Sequence, residues 1–323
     1  MDDPALSFGG VFAVNSRSAD AHVERFCQLS HESRDTLKTL PRSPAGRDAA
    51  AFMAPLMDYE KPLNGIRGQL RLPQPLVDRV YAYGNDWFTR ITDADLEGLD
   101  FGWMEKLEQF DHWSLLGAGP LRDGPYEHFN SAPFPNYISL GQWAKLRYAM
   151  ARRRGDLPRA SAEVRQLADL TRSQDELIAE MIAQSLYRLD GAARAAANAS
   201  GFNISGWERV DPDALVKLRK VEFASPFFAW PGVKLETLRR AVACMPRPCM
   251  ALVEAASMNR RASLAGPDNF KVVRELAEKY NCEAAVLERV AGEVPDDPEV
   301  LGAKDPEFPE PDDPIAKYLD TER

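Results

Sequence analysis

Apolar residues recur at helical spacing along most of this chain, and the strict alternation of a half-buried strand is nowhere sustained. The clearest stretch runs from Leu140 to Gly191. Leu140, Trp143, Leu146 and Met150 share one helical face, and Gly155 stops that helix. Asp156 caps a second helix bearing Leu157, Ala160, Val164 and Leu167. Ser173 and Glu176 form an S-x-x-E capping box that opens a third, whose predicted inner face is Ile178, Met181, Ile182 and Leu189. These patterns specify packing and carry no chemistry.

Weaker patterns flank this centre. A helix is expected after Asp20, with Val23, Phe26, Cys27 and Ser30 on one face, and helical character returns through Phe52, Met53, Leu56 and Met57. From Lys61 to Asn85, Pro62, Gly65, Gly68, Pro73, Pro75 and Gly84 predict loop with short helical pieces. Trp103, Leu107, Phe110 and Trp113 then fall on one face of a helix predicted over Phe101–Leu116. Gly117 to Asn136 reads as a long aromatic loop packed by Phe129, Phe134 and Tyr137. Asp211-Pro212, an N-cap followed by an N1 proline, opens a helix with Leu215, Leu218 and Val221. Another carries Leu235, Leu238, Val242 and Met245 and ends at Pro246. Helical patterns resume over Met250–Arg261, Phe270–Tyr280 and Ala284–Val290.

The predicted fold is mainly α: an irregular multi-helix domain of antiparallel helical hairpins, with long aromatic and Pro-rich loops and no substantial sheet. Residues 1–20 are expected to form a flexible lead, 21–291 a single helical domain, and 292–323 a disordered acidic tail. The charge supports that division. The chain carries −9 in all, and residues 292–323 hold eleven acids against Lys304, Lys317 and Arg323. Such a Pro- and acid-rich segment buries too little apolar area to offset chain entropy. Its last residues could still form one turn with Ile315, Tyr318 and Leu319 on one side, a candidate docking motif.

A nearly neutral body without a basic stripe argues against nucleic-acid binding. Arg152, Arg153 and Arg154 fall in the last turn of a helix, where cations complement the dipole. No apolar run of membrane-spanning length occurs, and the opening Met1-Asp2-Asp3-Pro4 has no signal-peptide character. A cytoplasmic location is the default expectation; an anchor upstream of Met1 would place the protein in the periplasm or envelope instead. The four cysteines, Cys27, Cys244, Cys249 and Cys282, are read first as small buried apolar residues. The alternative is a disulfide between Cys244 and Cys249, which flank Met-Pro-Arg-Pro and would imply an oxidising compartment.

Chemistry is sparse in this sequence. Asp93-Ala-Asp95-Leu-Glu97-Gly98 begins like a calcium loop, but Met104 stands where the bidentate Glu belongs. Asp111-His112 and Glu127-His128 could ligate a metal or act as base and orienter, although neither pair has helix-face ligand spacing. No nucleophile elbow, phosphate loop or dinucleotide fingerprint is present. No cofactor is expected. The aromatics Trp103, Trp113, Trp143 and Tyr148 are candidates to line a partner groove, against the simpler reading that each is core.

The Trp143–Leu170 hairpin, with Gly155-Asp156 at its turn and Ala160 at the close approach, resembles a tetratricopeptide-type helix pair. That resemblance implies a concave surface binding partner peptides; no second copy follows at a 34-residue period. FDHW at Phe110–Trp113 and LGQWAKLRYA at Leu140–Ala149 also resemble bacterial helical proteins of unknown function, often anchored at their N-terminus. The expected function is a non-enzymatic interaction or scaffold protein, in one form a subunit of a bacterial envelope assembly with an unidentified protein partner. The alternative is a metal-dependent hydrolase using Asp111, His112, Glu127 and His128.

Overall fold

The computed structural model describes residues 16–38, 46–57, 68–114, 135–174, 177–208, 210–229, 233–252 and 267–282, together with Ile315 and Leu319. The fold is mainly α, built of helices packed on helices; a parallel bridge pairs Asp48 with His112. The elements are α1 (Ser16–Lys38), α2 (Ala50–Met53), α3 (Gln74–Ala82), α4 (Trp87–Arg90), α5 (Asp93–Leu96), α6 (Gly102–Glu105), α7 (Tyr137–Arg154), α8 (Leu157–Arg172), α9 (Leu177–Ala199), α10 (Pro212–Ala224), α11 (Leu235–Cys244) and α12 (Pro267–Lys279).

Local punctuation places several of these as expected. Gly155 closes α7 at φ +73°, in the left-handed region that favours glycine. The Asp211 side chain accepts from the Asp213 amide and starts α10 on Pro212. α11 stops one residue before Met245, whose extended backbone is what the following Pro246 requires. Arg152 and Arg153 complete the end of α7: Arg153 donates to Ala149 O at 3.0 Å and Ile91 O at 2.9 Å, and Arg152 to Ile91 O at 3.2 Å. Cations on terminal carbonyls suit the negative end of the dipole.

Other expectations are corrected. Residues 101–116 do not form one helix: α6 tightens into a 3₁₀ turn over Lys106–Gln109, and Phe110 is extended. Trp103, Leu107, Phe110 and Trp113 are nonetheless all buried, because the 3₁₀ turn and the bend after it keep them on the core side. Over the described part of 61–85, expected as loop with short helical pieces, α3 is such a piece, with Pro75 in its first turn, where its missing N–H costs nothing. Of the helical character expected through Phe52, Met53, Leu56 and Met57, the described residues hold α2 and the turns after it. Ser173 closes α8: its Oγ donates to Leu170 O at 2.6 Å and accepts from the Trp113 amide at 2.7 Å, while Glu176, its partner in the predicted capping box, lies outside the described residues. The predicted lead is helical from Ser16, and Ala19 is already buried.

The apolar interior falls into two clusters. The first gathers residues from Ala49 to Leu218 around α7, α8 and α9. The second combines Ala19, Val23 and Phe26 of α1 with Val221, Ala224 and Phe228, with α11 and α12, and with Ile315 and Leu319. α10 belongs to both: Leu215 and Leu218 lie in the first, Val221 and Ala224 in the second. Ile315 and Leu319 are helical, 0% and 1% exposed. At these two positions the expectation of a wholly disordered tail fails, because an aliphatic side chain gains by burial on an apolar surface. Tyr318 and residues 292–314 lie outside the described residues.

Two disulfides brace the second cluster: Cys27–Cys244 joins α1 to α11, and Cys249–Cys282 joins the residues after α11 to the end of α12. The expected Cys244–Cys249 bridge is therefore not formed, and neither are these cysteines free apolar residues. Pro246 and Pro248 keep the Cys244–Cys249 span from folding back on itself, so each thiol meets a distant helix instead.

One glycine closes the first cluster's edge. Gly46 has φ +140°, and a Cβ there would stand 2.3 Å from Asp111 Oδ2. Gly46→Ala is expected to cost about 1–3 kcal/mol, read by urea denaturation, through backbone strain and displacement of Asp111. A variant as stable as the parent would show that this edge yields freely.

Candidate functional site

The conspicuous feature of the interior is a set of buried charges where the two apolar clusters meet. α8 ends on Arg172, α9 begins with Glu180 one turn in, α10 contributes Glu222 at its changeover between clusters, and Arg247 follows α11. Arg172 Nη2 donates to Glu222 Oε1 at 2.5 Å, and its Nε lies 3.2 Å from Glu180 Oε2. Arg247 Nη1 donates to the same Glu180 oxygen at 2.6 Å, while its Nη2 donates to Gln174 O. Gln184 Nε2 donates to Glu180 Oε1 at 2.8 Å, and Tyr137 donates its hydroxyl to Gln174 Oε1. All four charged side chains are buried.

Two carboxyls this close cannot both ionise freely. Burial pushes Glu222 up; Arg172 opposes this and the Glu180 charge adds to it, leaving the carboxyl at about 8. Burial also pushes Glu180 up, but the hydrogen bond from Glu222 and the fields of Arg172 and Arg247 outweigh it and hold Glu180 at about 2. Burial therefore favours the protonated form of Glu222, while Arg172 and Arg247 hold Glu180 as their shared anion.

The same polar theme continues along α9. Glu180, Gln184, Tyr187 and Asp190 follow one another at i, i+4, i+7 and i+10, and all four are buried. Tyr187 donates to Asp169 of α8, whose carboxyl burial raises to about 6. Asp190 Oδ1 accepts from Ser161 Oγ at 2.6 Å, from Trp207 Nε1 at 3.0 Å and from the Tyr148 hydroxyl. Tyr148 and Trp207 stack with ring centroids 5.5 Å apart.

α9 is consequently turned the opposite way from the expectation. Its predicted core residues Ile178 and Met181 are 47% and 49% exposed, and Ile182 and Leu189 are only half-buried. The inner face is the polar ladder with Ala183 and Leu186 between its members and Ala179, Ala193 and Ala197 beyond its ends. The outward line runs Ile178, Met181, Ser185, Arg188. Arg188 lies near enough to Arg219 of α10 for the two cations to repel, which together with burial lowers the affinity of Arg188 for its proton. Val216 of α10 is exposed as well.

The residues singled out from sequence occupy quieter places. Trp103, Trp113, Trp143 and Tyr148 are all core, so they line no open groove. Trp143 Nε1 donates to Leu70 O at 2.7 Å, and the Trp103 and Trp143 rings meet edge to face at 5.9 Å. Asp111 and His112 are brought to the Arg47–Asp48 edge. There Asp111 Oδ2 accepts from the Arg47 amide at 2.8 Å, and His112 O from the Ala49 amide at 2.8 Å. Glu127 and His128 lie outside the described residues. Asp95 caps α5, accepting from the Thr92 amide at 2.8 Å and from Arg79 Nε at 2.9 Å. Among the described residues no three His, Cys, Asp or Glu side chains gather as a metal site would, and no helix is long and apolar enough to cross a membrane.

Sequence reasoning missed Arg172, Glu180, Glu222 and Arg247. The signal available was polar residues repeating at core spacing along α9. Compared with family models, with curated proteins and with solved structures, the chain finds no match.

Proposed function

We propose that the protein is a non-enzymatic interaction module of an oxidising compartment, a subunit of a bacterial envelope assembly, that engages its partner through the outer face of α9. The observation that carries this reading is the inverted helix: charged and polar side chains inside, Ile178 and Met181 outside. Exposed aliphatic side chains gain about 25 cal/mol for each Å² that a partner covers. The two disulfides support the compartment, since such bonds persist where thiols are not kept reduced.

The character of the face indicates what fits it. Ile178 and Met181 are followed on the same line by Arg188, with Arg219 of the neighbouring helix beside it. An amphipathic helix with aliphatic residues at i, i+3 or i+4 and acidic residues one to two turns on would cover the apolar pair and relieve the repulsion between the cations.

Photo-crosslinking from position 181 in intact cells tests this. The expected result is a discrete crosslinked species whose captured peptide is such a helix, lost when Ile178→Asp is introduced. A crosslink only to a second copy of this chain, or none above that of an exposed position such as Ala195, would overturn it.

A further inference from the structure

The two disulfides and the buried charge cluster meet in one six-residue span. Cys244-Met245-Pro246-Arg247-Pro248-Cys249 is tied at its first residue to Cys27 on α1 and at its last to Cys282 after α12. Its start is held again by Ser30, whose hydroxyl donates to Cys244 O. Each of Met245 and Arg247 precedes a proline, so both are steered away from helical backbone. The span is short, stiff and anchored at both ends.

Its middle residue crosses from the second cluster into the first. Arg247 reaches Glu180 at 2.6 Å and the carbonyl of Gln174, both in the α8–α9 segment. Taking the charge of a guanidinium out of water is costly, and burying it is favourable only when its partners are held in place. Here the bracing of the span supplies that condition. Cys27, Cys244 and Cys249 are half-buried rather than enclosed.

We propose that the disulfides form a redox-operated latch: reducing them withdraws Arg247 from Glu180 and loosens the seam between the two clusters. The reductant is a dithiol, protein or small molecule. Its thiolate attacks one sulfur of a disulfide, forming a mixed disulfide and expelling the other cysteine as a thiolate that takes up a proton. The second thiol of the reductant then displaces the first cysteine, leaving two cysteine thiols and an oxidised reductant. With both bonds reduced, the span is free at both ends and Arg247 regains water. Of its two guanidiniums Glu180 keeps only Arg172, so the first turns of α9 and the second half of α10 lose a shared anchor. This inference stands whether or not a partner binds α9.

Hydrogen exchange on the full chain tests it, before and after dithiothreitol, with alkylation and mass spectrometry confirming that both bonds are reduced. Reduction is expected to accelerate exchange roughly tenfold over residues 177–187 and 218–224 while leaving 140–150 and 160–168 unchanged. Oxidised Arg247→Met should show the same acceleration, with little added by reduction. Cys249→Ala combined with Cys282→Ala, which frees one end only, should accelerate the same segments to a lesser degree. The latch is overturned if reduction leaves 177–187 unchanged or speeds exchange equally everywhere. It is equally overturned if oxidised Arg247→Met, or the double cysteine variant should Arg247→Met not fold, exchanges there at the parental rate.

Discussion

Arg172→Met is expected to destabilise the protein by about 3–5 kcal/mol, because it takes away one of the two guanidiniums that hold the buried Glu180 anion and leaves the buried Glu222 carboxyl without its hydrogen-bond donor. Arg172 is the common partner of Glu180 and Glu222, and both carboxyls are wholly enclosed. Without it Glu180 retains Arg247, while Glu222 loses the guanidinium that hydrogen-bonds to it. Methionine matches the volume and introduces no new polar group, so the loss reports the charge rather than a cavity. Urea denaturation should show a lower midpoint with an unchanged slope, and the melting temperature should fall by roughly 10 °C. Glu222→Gln should cost much less near neutral pH, since that carboxyl already carries a proton. Equal losses in the two variants would contradict the assignment of the proton to Glu222.

Removing the α1–α11 bridge is the second large effect. Cys27→Ala combined with Cys244→Ala opens a loop of 217 residues and is expected to cost about 2–5 kcal/mol. The loop closed by Cys249–Cys282 spans 33 residues, and in the chain-entropy view its loss costs about 1.5 kcal/mol less. The ordering is the informative part. α1 and α11 are also joined by Lys234 and Thr237 on Asp20 and by Arg240 on Glu24, but these are mostly exposed contacts that salt and water weaken. Denaturation of the two double variants under non-reducing conditions measures both losses. A larger cost for the shorter loop would mean that native contacts, not chain closure, set the contribution of each bond.

What could be read from sequence was what is decided locally. Asp211-Pro212 starts α10, Gly155 ends α7 and Pro246 follows the end of α11, because each acts on backbone groups within a turn of itself. The mainly α class followed from the same periodicity. The orientation of α9 could not be read that way. Its sequence offers two faces, one aliphatic and one polar, and ordinary hydrophobicity favours burying the first. The polar face wins because Arg247, 67 residues from Glu180, and Asp169, Ser161 and Trp207 each supply a partner to one rung of the ladder. The cysteines are a similar case: adjacency suggested Cys244 with Cys249, whereas the pairing depends on where α1 and α12 pack. The aromatics Trp103, Trp113, Trp143 and Tyr148 were visible as large residues at helical spacing, and their place is the core.

The clusters meet at a buried carboxyl pair in which Glu222 is pushed towards its protonated form and Glu180 towards its anion. Glu222 titrates at about 8 in the folded chain against an ordinary 4.5, so the folded state binds the proton more tightly. Its contribution to stability is fully present below about pH 4.5 and is lost as pH rises towards 8. Glu180 has the opposite sign: its contribution is present above about pH 4.5 and is lost as pH falls towards 2. Asp169, raised from 3.8 to about 6, adds a loss that is complete by about pH 6. Unfolding free energy measured between pH 6.5 and 8 in the parent and in Glu222→Gln isolates the pair. The parent is expected to lose stability across that window by about 1 kcal/mol per pH unit, and Glu222→Gln should be nearly flat. A parent whose stability holds or rises with pH there, or a Glu222→Gln variant with the parental slope, would contradict the protonation of Glu222.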